Sequence, residues 1–333
     1  MKALIRTFNP WVSGKGGQPL EKPRWSGEYW SQFEKLLIDE LKLRYDVHQQ
    51  PENVNKEDEL PEVDLALYAH RNFYDIDNKT VYSYPKYADA KKRLFYMMMH
   101  LPGWFQLDIK GWGAQHSSYE APPDLSNVDE AAAVSFSDNL LDKIVNGNIS
   151  KIGQPAQADI DSHGYLLMLT QLENDYTIKY QSKLKIPEFI NGIAKWAKQN
   201  NVKVIVKRHP LDQSTDVGAS VNACKHAGFV ETKANLHSLI KSARAVYVIN
   251  SGTGFESLIH NKPVITFGKC DYKNATFAGN LTNLKEAWDW VNSFDNTRSK
   301  FLKKFIYWFY HNNIYDINDP NCQAKIKAKL ESV

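Results

Sequence analysis

The amino-acid sequence predicts an α/β fold in which the second half of the chain forms a parallel sheet with helices on both faces. Two observations predict this class. Apolar runs of strand length alternate with segments of helical periodicity over short connections, and a glycine-rich turn separates two of the apolar runs between Ala245 and Gly268. Such alternation is typical of parallel sheets, whose ligands lie at the carboxyl ends of the strands.

Length, composition and charge indicate an ordinary globular protein. The chain has 333 residues, of which 43% are hydrophobic and 24% are charged, and this length is sufficient for two domains with full-sized cores. The formal net charge is +3. Because this charge is small, we expect no nucleic-acid partner; it fits an enzyme with an anionic substrate, or loose attachment to an acidic membrane surface.

The cysteines and the apolar runs indicate the cellular compartment in which the protein is expected. Cys224, Cys270 and Cys322 are scattered without metal-ligand spacing, which favours a reducing compartment and predicts neither a disulfide framework nor a metal site. The N-terminal apolar run is too short for a signal peptide, and the most apolar later stretch, Leu94–Leu107, is interrupted by His100, Pro102 and Gly103. We therefore expect a cytoplasmic protein.

The sequence of the first half of the chain predicts strands and helices that follow one another less regularly. Apolar runs predict strands, and apolar residues at helical spacing predict helices, one of which, at Lys91–Met99, is expected to be buried. The strands are Lys2–Phe8, Val63–Ala69 and Trp104–Leu107, and the other helices are Tyr29–Leu43 and Asp129–Asn146. The loop Ser13–Pro23 has a lysine between glycines but lacks the spacing of a Walker A loop and a preceding buried strand.

The second half predicts a regular alternation. Its strands are Tyr165–Thr170, Val202–Val206, Val246–Ile249 and Val264–Phe267, and its helices include Pro187–Asn200 and Leu236–Ser242. The polar segment Asn146–Gly164, which contains glycine and proline, is the best candidate for a domain boundary. We expect domains at residues 1–150 and 151–285, followed by aromatic-rich helices at 286–333.

Two polar clusters follow strands of the predicted sheet. Gln171–Asp175 comes directly after the first of them, where a carboxylate can serve as base, nucleophile or cation ligand. Asp175 is equally well interpreted as the cap of the following turn. Lys207, Arg208, His209 and Pro210 end the next strand. They can neutralise a phosphate diester and stabilise a departing phosphate. The alternative interpretation is a basic turn that is exposed to solvent and has no ligand.

The third cluster is the turn that follows Ile249. Its small residues Ser251, Gly252 and Thr253 present backbone N–H groups and a helix dipole to an anion. Glu256 lies one turn further, where a carboxylate can bridge the hydroxyls of a ribose. A serine-glycine turn alone is often only a tight connection. Together, the three clusters predict a site for a nucleotide sugar.

These segments resemble one known family. The stretches TQLENDYTI, KRHP and LHSLIKSARAVYVINSGTGFESLIHNKPVITFGKCDY are similar in order and spacing to the motifs of the capsule polysaccharide biosynthesis family. The family pattern has Gln-x-x-x-Asp, then His-Pro, then Ser-x-x-Gly-x-Glu before Pro-Val-x-x-x-Gly and an aromatic. The likeness covers roughly Tyr165–Tyr272. The best understood members are β-Kdo transferases.

The resemblance implies a fold, an activity and a set of roles. It implies a GT-B-like architecture, with two Rossmann-like domains facing a cleft and C-terminal helices that pack back across the junction. Residues 1–150 would bind the acceptor, a glycan or glycolipid, and 151–285 the donor, CMP-Kdo, with no cofactor and no essential metal. Asp175 would be the catalytic carboxylate and His209 would contact the donor phosphate. Gln171 would orient the sugar or Asp175. The phosphate and the nucleotide would be held by Lys207, Arg208, Ser251, Gly252, Thr253 and Glu256.

The sequence departs from the family pattern at two places. Family members carry an acidic residue before the N-terminal Gly-aromatic turn, whereas this chain reads HLPGW at His100–Trp104; Asp108 and His116 are the substitutes for an acceptor base. After Tyr272 the usual Ala-Gly-Trp is replaced by Lys-Asn. Another donor sugar therefore stays open, as does a non-catalytic role in capsule assembly or export. Peripheral association with the inner membrane also stays open.

Overall fold

The computed structural model describes residues 1–8, 27–51, 62–70, 74–79, 90–160, 163–225 and 228–333; the predicted loop Ser13–Pro23 lies outside them. The chain forms two compact units. The first comprises Met1–Ala121 together with Tyr310–Val333, and the second comprises Pro122–Phe309. Each unit has its own sheet.

The first unit is built on a six-stranded sheet in the order β12-β5-β4-β3-β1-β2. Strands β1 to β4 pair in parallel, and β5 and β12 join the edge antiparallel. Its elements are β1 Lys2–Thr7, α1 Gly27–Lys42, β2 Asp46–Pro51, β3 Leu65–Ala69, β4 Lys92–Met98, β5 Trp104–Asp108, two 3-10 turns at Gly113–Gln115 and Ser117–Tyr119, β12 Tyr315–Asp316 and α10 Cys322–Glu331.

The predicted buried helix at Lys91–Met99 is wrong, because this run is strand β4. The strand lies between β3 and β5, and its residues from Leu94 to Met98 are buried. A strand covered on both faces is apolar throughout and loses the two-residue alternation that identifies a half-buried strand. Periodicity cannot then distinguish it from a buried helix. The neighbouring predictions of strands and of the helix at Tyr29–Leu43 are confirmed.

The second unit has a fully parallel sheet in the order β11-β10-β9-β6-β7-β8. Its helices and strands alternate as predicted. The elements are α2 Glu130–Asn146, β6 Leu166–Leu169, α3 Tyr176–Gln181, α4 Ile186–Gln199, β7 Val204–Lys207, α5 Thr215–Ala223, β8 Phe229–Glu231, α6 Leu236–Ser242, β9 Ala245–Val248, α7 Gly252–Ile259, β10 Val264–Thr266, a 3-10 turn at Lys273–Ala275, β11 Phe277–Ala278, α8 Leu284–Asn292 and α9 Asn296–Asn313.

Helix α4 illustrates how local sequence and packing agree in this unit. Pro187 occupies the first turn, where a missing N–H costs nothing, and the Glu188 carboxylate accepts a hydrogen bond from the Lys185 backbone amide at 3.0 Å. Phe189, Ile190 and Ile193 form the buried face. They pack in the same core as the apolar residues of β6 and β7, and this burial is the main source of the helix's stability.

The compact units and the expected domains divide the chain at different places. Helix α2, which falls in the expected domain 1–150, belongs to the second unit and packs against α7. The change back to the first unit falls within α9, at Tyr310, and in the first unit α10 packs against α1. The segment Asn146–Gly164 therefore lies within the second unit. Over the described residues, no helix combines the length and the apolar character needed to cross a membrane.

Candidate functional site

The candidate site lies at the carboxyl edge of the second sheet, where four neighbouring parallel strands end. Strands β10, β9, β6 and β7 are adjacent in that order, so the segments that follow them meet at one edge. These segments are Gly268–Tyr272, Asn250–Thr253, Gln171–Asp175 and Lys207–Pro210. All three predicted clusters are thus brought to the same edge.

Gln171 joins two of these segments through its side chain. Its Oε1 accepts a hydrogen bond from the Asn250 backbone amide at 3.2 Å, and its Nε2 donates to Asn250 Oδ1 at 3.0 Å. The same Nε2 donates to Thr177 Oγ1 at 3.1 Å. Since the Thr177 hydroxyl donates to Asp175 Oδ1 at 2.8 Å, Gln171 is connected to Asp175 through one hydroxyl.

Asp175 is the N-cap of helix α3. Its Oδ1 accepts hydrogen bonds from both the backbone amide and the hydroxyl of Thr177, each at 2.8 Å. Its Oδ2 makes no hydrogen bond with any described residue. The two interpretations of Asp175 are therefore compatible, because one oxygen caps the helix while the other is available to a ligand.

The two cations of the second cluster are engaged within the protein. Lys207 Nζ donates to the carbonyl oxygen of Ala234 at 2.7 Å, and burial lowers the pKa of its ammonium group. The Arg208 guanidinium pairs with the Asp212 carboxylate at 2.9 Å and donates to the Ser214 carbonyl at 3.1 Å. These contacts fix the loop after β7.

His209 presents a defined tautomer. Its Nδ1 accepts a hydrogen bond from the Leu211 backbone amide at 3.2 Å, so the proton of the neutral ring is on Nε2. Burial lowers the pKa of His209, an effect that Asp175 and Asp212 oppose and Lys151 reinforces. At neutral pH the ring is therefore uncharged and offers one N–H donor.

The turn after β9 starts helix α7. The hydroxyl of Ser251, the N-cap, lies 2.8 Å from the Thr253 hydroxyl and accepts a hydrogen bond from the Thr253 backbone amide at 3.3 Å. The Tyr272 hydroxyl donates to the Ser251 carbonyl oxygen. Gly252 is the first residue of the helix, so its N–H belongs to the positive end of the helix dipole.

Gly254 is expected to be indispensable for this turn. A Cβ at this position would lie 2.4 Å from the Tyr272 hydroxyl and 3.0 Å from Val248 Cγ2. We expect Gly254→Ala to lower the free energy of unfolding by about 1–3 kcal/mol, as overpacking does in a buried site. Urea denaturation of Gly153→Ala is the matched control, because nothing lies within 4 Å of a Cβ there. Equal stability of the two variants would contradict the close contact with Tyr272.

Glu256 is fully buried in this structure. Its Oε1 accepts a hydrogen bond from the Ser150 hydroxyl at 3.0 Å, and its Oε2 has no partner among the described residues. Burial raises the pKa of Glu256 to about 8. The ribose contact predicted for Glu256 therefore requires Ser150 to move and expose the carboxylate.

Sequence reasoning missed two charged residues at this edge. Lys151 follows Ser150, and its ammonium group interacts electrostatically with Asp175, Glu256 and Asp271. Asp271 is buried in the segment after β10. The polar segment that contains Lys151 resembles a linker in composition, and neither residue belongs to a motif; no signal in a single sequence identifies them.

A groove of about 960 Å³ adjoins the site. His209 and Pro210 line it from the end of β7, Thr232 and Lys233 line it from the end of β8, and Gln154 closes another side. This volume is in the range of pockets that hold nucleotide-sized ligands. Over the described residues, no group of three or more His, Cys, Asp or Glu side chains is placed to hold a metal ion.

The predicted substitutes for an acceptor base come together in the first unit. His116 Nε2 lies 3.9 Å from Asp108 Oδ2, and Lys329 Nζ lies 3.6 Å from the same oxygen. Ser117 donates to Asp108 through both its amide and its hydroxyl. Burial opposes ionisation of Asp108, but His116, Ser117 and Lys329 outweigh it and lower its pKa. Both Asp108 and His116 are buried.

Comparison of the sequence with known proteins identifies relatives of this chain. A model of the family described as capsule polysaccharide biosynthesis protein matches residues 117–314. The capsule polysaccharide export protein KpsS of Escherichia coli is 29% identical over 142 residues, which are 39% of this chain and 36% of that protein. The chain thus matches little more than a third of that relative's length.

Two solved structures from Thermosulfurimonas dismutans resemble the chain. The KpsC β-Kdo 2,4 transferase superposes with a TM-score of 0.50 at 12% identity, covering 84% of this chain and 88% of the other. The KpsC β-Kdo 2,7 transferase has a TM-score of 0.49 at 15% identity, with coverage of 82% and 86%. At such identities the likeness concerns the fold, and the predicted GT-B-like α/β architecture is confirmed.

Proposed function

The chain belongs to the capsule polysaccharide biosynthesis protein family, and from this premise we propose that it is a glycosyltransferase acting on a capsule or lipopolysaccharide precursor. One observation carries the proposal. The unshared Oδ2 of Asp175 and the Nε2–H of His209 belong to segments that follow adjacent strands of one sheet. A carboxylate can attack the anomeric carbon of a sugar, and a neutral N–H donor can stabilise the phosphate that departs from it.

The proposed reaction assigns a role to each group. Asp175 Oδ2 attacks the anomeric carbon of the donor sugar, and the bond from that carbon to the phosphate oxygen breaks. The electron pair leaves with the phosphate, to which His209 donates a hydrogen bond. The acceptor hydroxyl then attacks the anomeric carbon, the bond from that carbon to Asp175 Oδ2 breaks and restores the carboxylate, and the hydroxyl proton passes to the phosphate of the released nucleotide. No step requires a metal ion.

The donor in this proposal is CMP-Kdo, with the nucleotide held at the turn after β9 and in the adjoining groove. The hydroxyls of Ser251 and Thr253 and the amide of Gly252 lie at the positive end of α7, where a phosphate is favoured. A UDP- or GDP-sugar is the competing donor. Our proposal places the protein in the cytoplasm, in peripheral contact with the inner membrane while it serves a glycolipid acceptor.

The nucleotide is tested by thermal denaturation with CMP, UDP or GDP. A ligand that binds only the folded protein raises its melting temperature, by an amount that grows with the logarithm of the ligand concentration relative to Kd. We expect CMP to give the largest increase. A larger increase in melting temperature with UDP or GDP would show that the donor is a UDP- or GDP-sugar instead of CMP-Kdo, and the transferase proposal would stand.

Transfer itself is tested by incubating the protein with CMP-Kdo and a panel of glycolipid acceptors and recording product masses. The transferase proposal predicts an acceptor that gains one sugar. A second candidate is a non-catalytic assembly or export component, which the name of the Escherichia coli relative favours. Nucleotide binding without transfer from CMP-, UDP- or GDP-sugars to any acceptor would support that candidate instead.

A further inference from the structure

The segment Asn148–Pro155, the strap, follows helix α2 and is attached to two other helices of the second unit. Asn235 Nδ2 donates to Asn148 Oδ1 at 2.7 Å, and the Ser150 hydroxyl donates to Glu256 Oε1 at 3.0 Å. Residues 153–155 of the strap line the groove beside the candidate site. The strap therefore contacts the buried Glu256 and also forms one wall of the groove.

Between these two attachments, a pair of stacked histidines holds Ile149. His237 Nε2 lies 3.0 Å from the Ile149 carbonyl oxygen, and His237 Nδ1 lies 2.9 Å from His260 Nε2. The ring centroids are 5.2 Å apart and the ring planes differ by 25°. His237 belongs to α6 and is 1% exposed, and His260 directly follows α7. The pair thus connects both helices to the strap.

The contacts of the pair assign one proton to each ring. Because a carbonyl oxygen can only accept, the proton of the neutral His237 ring is on Nε2, and its Nδ1 accepts a hydrogen bond from His260 Nε2–H. A second proton on His237 can enter only at Nδ1. Two N–H groups would then face each other across 2.9 Å, so the contact between the rings would break.

The surroundings of the pair oppose a positive charge on either ring. Burial lowers the pKa of His237, and burial together with His237 and Lys262 lowers the pKa of His260 to about 3. The Ile149 carbonyl acts in the opposite direction on His237, but burial outweighs it. The Lys262 ammonium group is fixed by two carbonyl oxygens at the end of α6, at 2.8 and 2.9 Å. The attached pair is therefore uncharged at neutral pH.

We propose that the His237–His260 pair is a proton-sensitive latch, which fastens the strap while both rings are uncharged and releases it when His237 takes up a proton. Release would uncover Glu256, the residue expected to contact the ribose of the donor, and would remove one wall of the groove. Only this consequence rests on the proposed function. The latch itself belongs to the substrate-free protein and is tested without a donor.

The pH dependence of the latch follows from the fastened and released states. In the released strap the rings titrate near the ordinary histidine pKa of about 6.5, and in the fastened strap their pKa lies lower. Release therefore takes up a proton below about pH 6.5, and each further pH unit favours it about tenfold. Glu256 acts in the opposite direction, because burial raises its pKa to about 8 and release lets it ionise. Glu256→Gln removes this opposing titration and keeps an oxygen that can accept the Ser150 hydrogen bond.

The first test is amide hydrogen exchange of Ile149 in the substrate-free Glu256→Gln protein, followed by NMR between pH 7 and pH 5. The Ile149 amide donates to the Ile144 carbonyl at 2.7 Å, so its exchange reports opening of the strap. After correction for the intrinsic effect of pH on exchange, we expect the opened fraction to rise about 20-fold from pH 7 to pH 5. The Val202 amide, bonded to the Ala197 carbonyl at 2.9 Å, is the matched control. An Ile149 opened fraction that does not change with pH, or that changes only as much as that of Val202, would overturn the inference.

The second test replaces both histidines of the latch by glutamine in the same Glu256→Gln protein. The amide groups of His237→Gln and His260→Gln can supply N–H donors but take up no proton, so exchange of Ile149 should lose its dependence on pH. His163→Gln is the matched control, because this histidine is exposed, and it should leave the dependence intact. A pH dependence that persists without His237 and His260 would show that other groups control the strap.

A third measurement needs no substitution. In the wild-type protein at pH 7, nitrogen NMR of labelled histidine should show that His237 and His260 are both neutral, each with its proton on Nε2. A proton on His237 Nδ1 would overturn the latch, because this nitrogen could then not accept a hydrogen bond from His260. The proposed function is judged separately: a failure to transfer sugar from any donor would overturn that function and leave these results unaffected.

Discussion

Asp175→Asn is expected to reduce sugar transfer by about 10⁴-fold or more while the protein stays folded. The carboxylate supplies the electron pair that attacks the anomeric carbon, and an amide oxygen is a far weaker nucleophile. The fold is preserved because asparagine is as good an N-cap as aspartate. Its oxygen can accept the Thr177 hydrogen bonds that Oδ1 now accepts. The measurement is the rate of product formation, recorded beside the thermal unfolding of the same preparation.

Two further variants separate chemistry from capping. Asp175→Ala loses both functions of the side chain, so it should be inactive and also less stable by about 1 kcal/mol, the cost of a lost N-cap. Asp216→Asn is the matched control, since Asp216 is exposed in the first turn of α5. An Asp175→Asn protein with wild-type activity would show that Asp175 is a cap and nothing more.

His209→Asn should lower transfer by about 100- to 1,000-fold, the usual effect of losing one positioned proton donor. Asparagine can still accept a hydrogen bond from the Leu211 amide, as His209 Nδ1 does at 3.2 Å, but it has no donor at the position of Nε2. His209→Gln places an amide N–H near that position, so we expect it to retain part of the activity. Initial rates at saturating CMP-Kdo measure the effect.

The pH dependence provides an independent check on His209. Because its folded-state pKa lies below the ordinary histidine value, the ring gains a proton only in acid, and Nδ1 then loses its bond from the Leu211 amide. Activity should therefore decline as the pH falls through that pKa, and His163→Gln, at an exposed histidine, should leave the profile unchanged. A His209→Asn enzyme as active as the wild type would remove His209 from the mechanism.

The sequence predicted the second unit well because local and tertiary signals agree there. Its strands are short apolar runs bounded by polar turns, and each turn falls at a strand end because the sheet is parallel. The position of Asp175, His209 and Ser251 at one edge follows from that topology alone. Their spacing along the chain also carries the family resemblance.

Other features depend on contacts that a single sequence does not reveal. Strand β4 was mistaken for a helix because it is covered on both faces. Lys151 was overlooked because its segment has a linker's composition, although distant residues such as His237 and Glu256 hold that segment in place. Lys207 and Arg208 are predicted to bind a phosphate. In the structure the Lys207 ammonium group donates to the Ala234 carbonyl, in a distant loop that a single sequence does not bring near it, whereas Arg208 pairs with the neighbouring Asp212.

The central claim is that the carboxyl edge of the second sheet binds the nucleotide of the donor. The measurement that tests it most directly is a titration of histidine-labelled protein with CMP, followed by NMR. We predict that the His209 resonance shifts and that its pKa rises, because a phosphate dianion beside the ring favours the protonated form, while the resonance of His48 in the first unit stays unchanged. Saturable binding of CMP that leaves the His209 resonance and pKa unaltered would contradict the account.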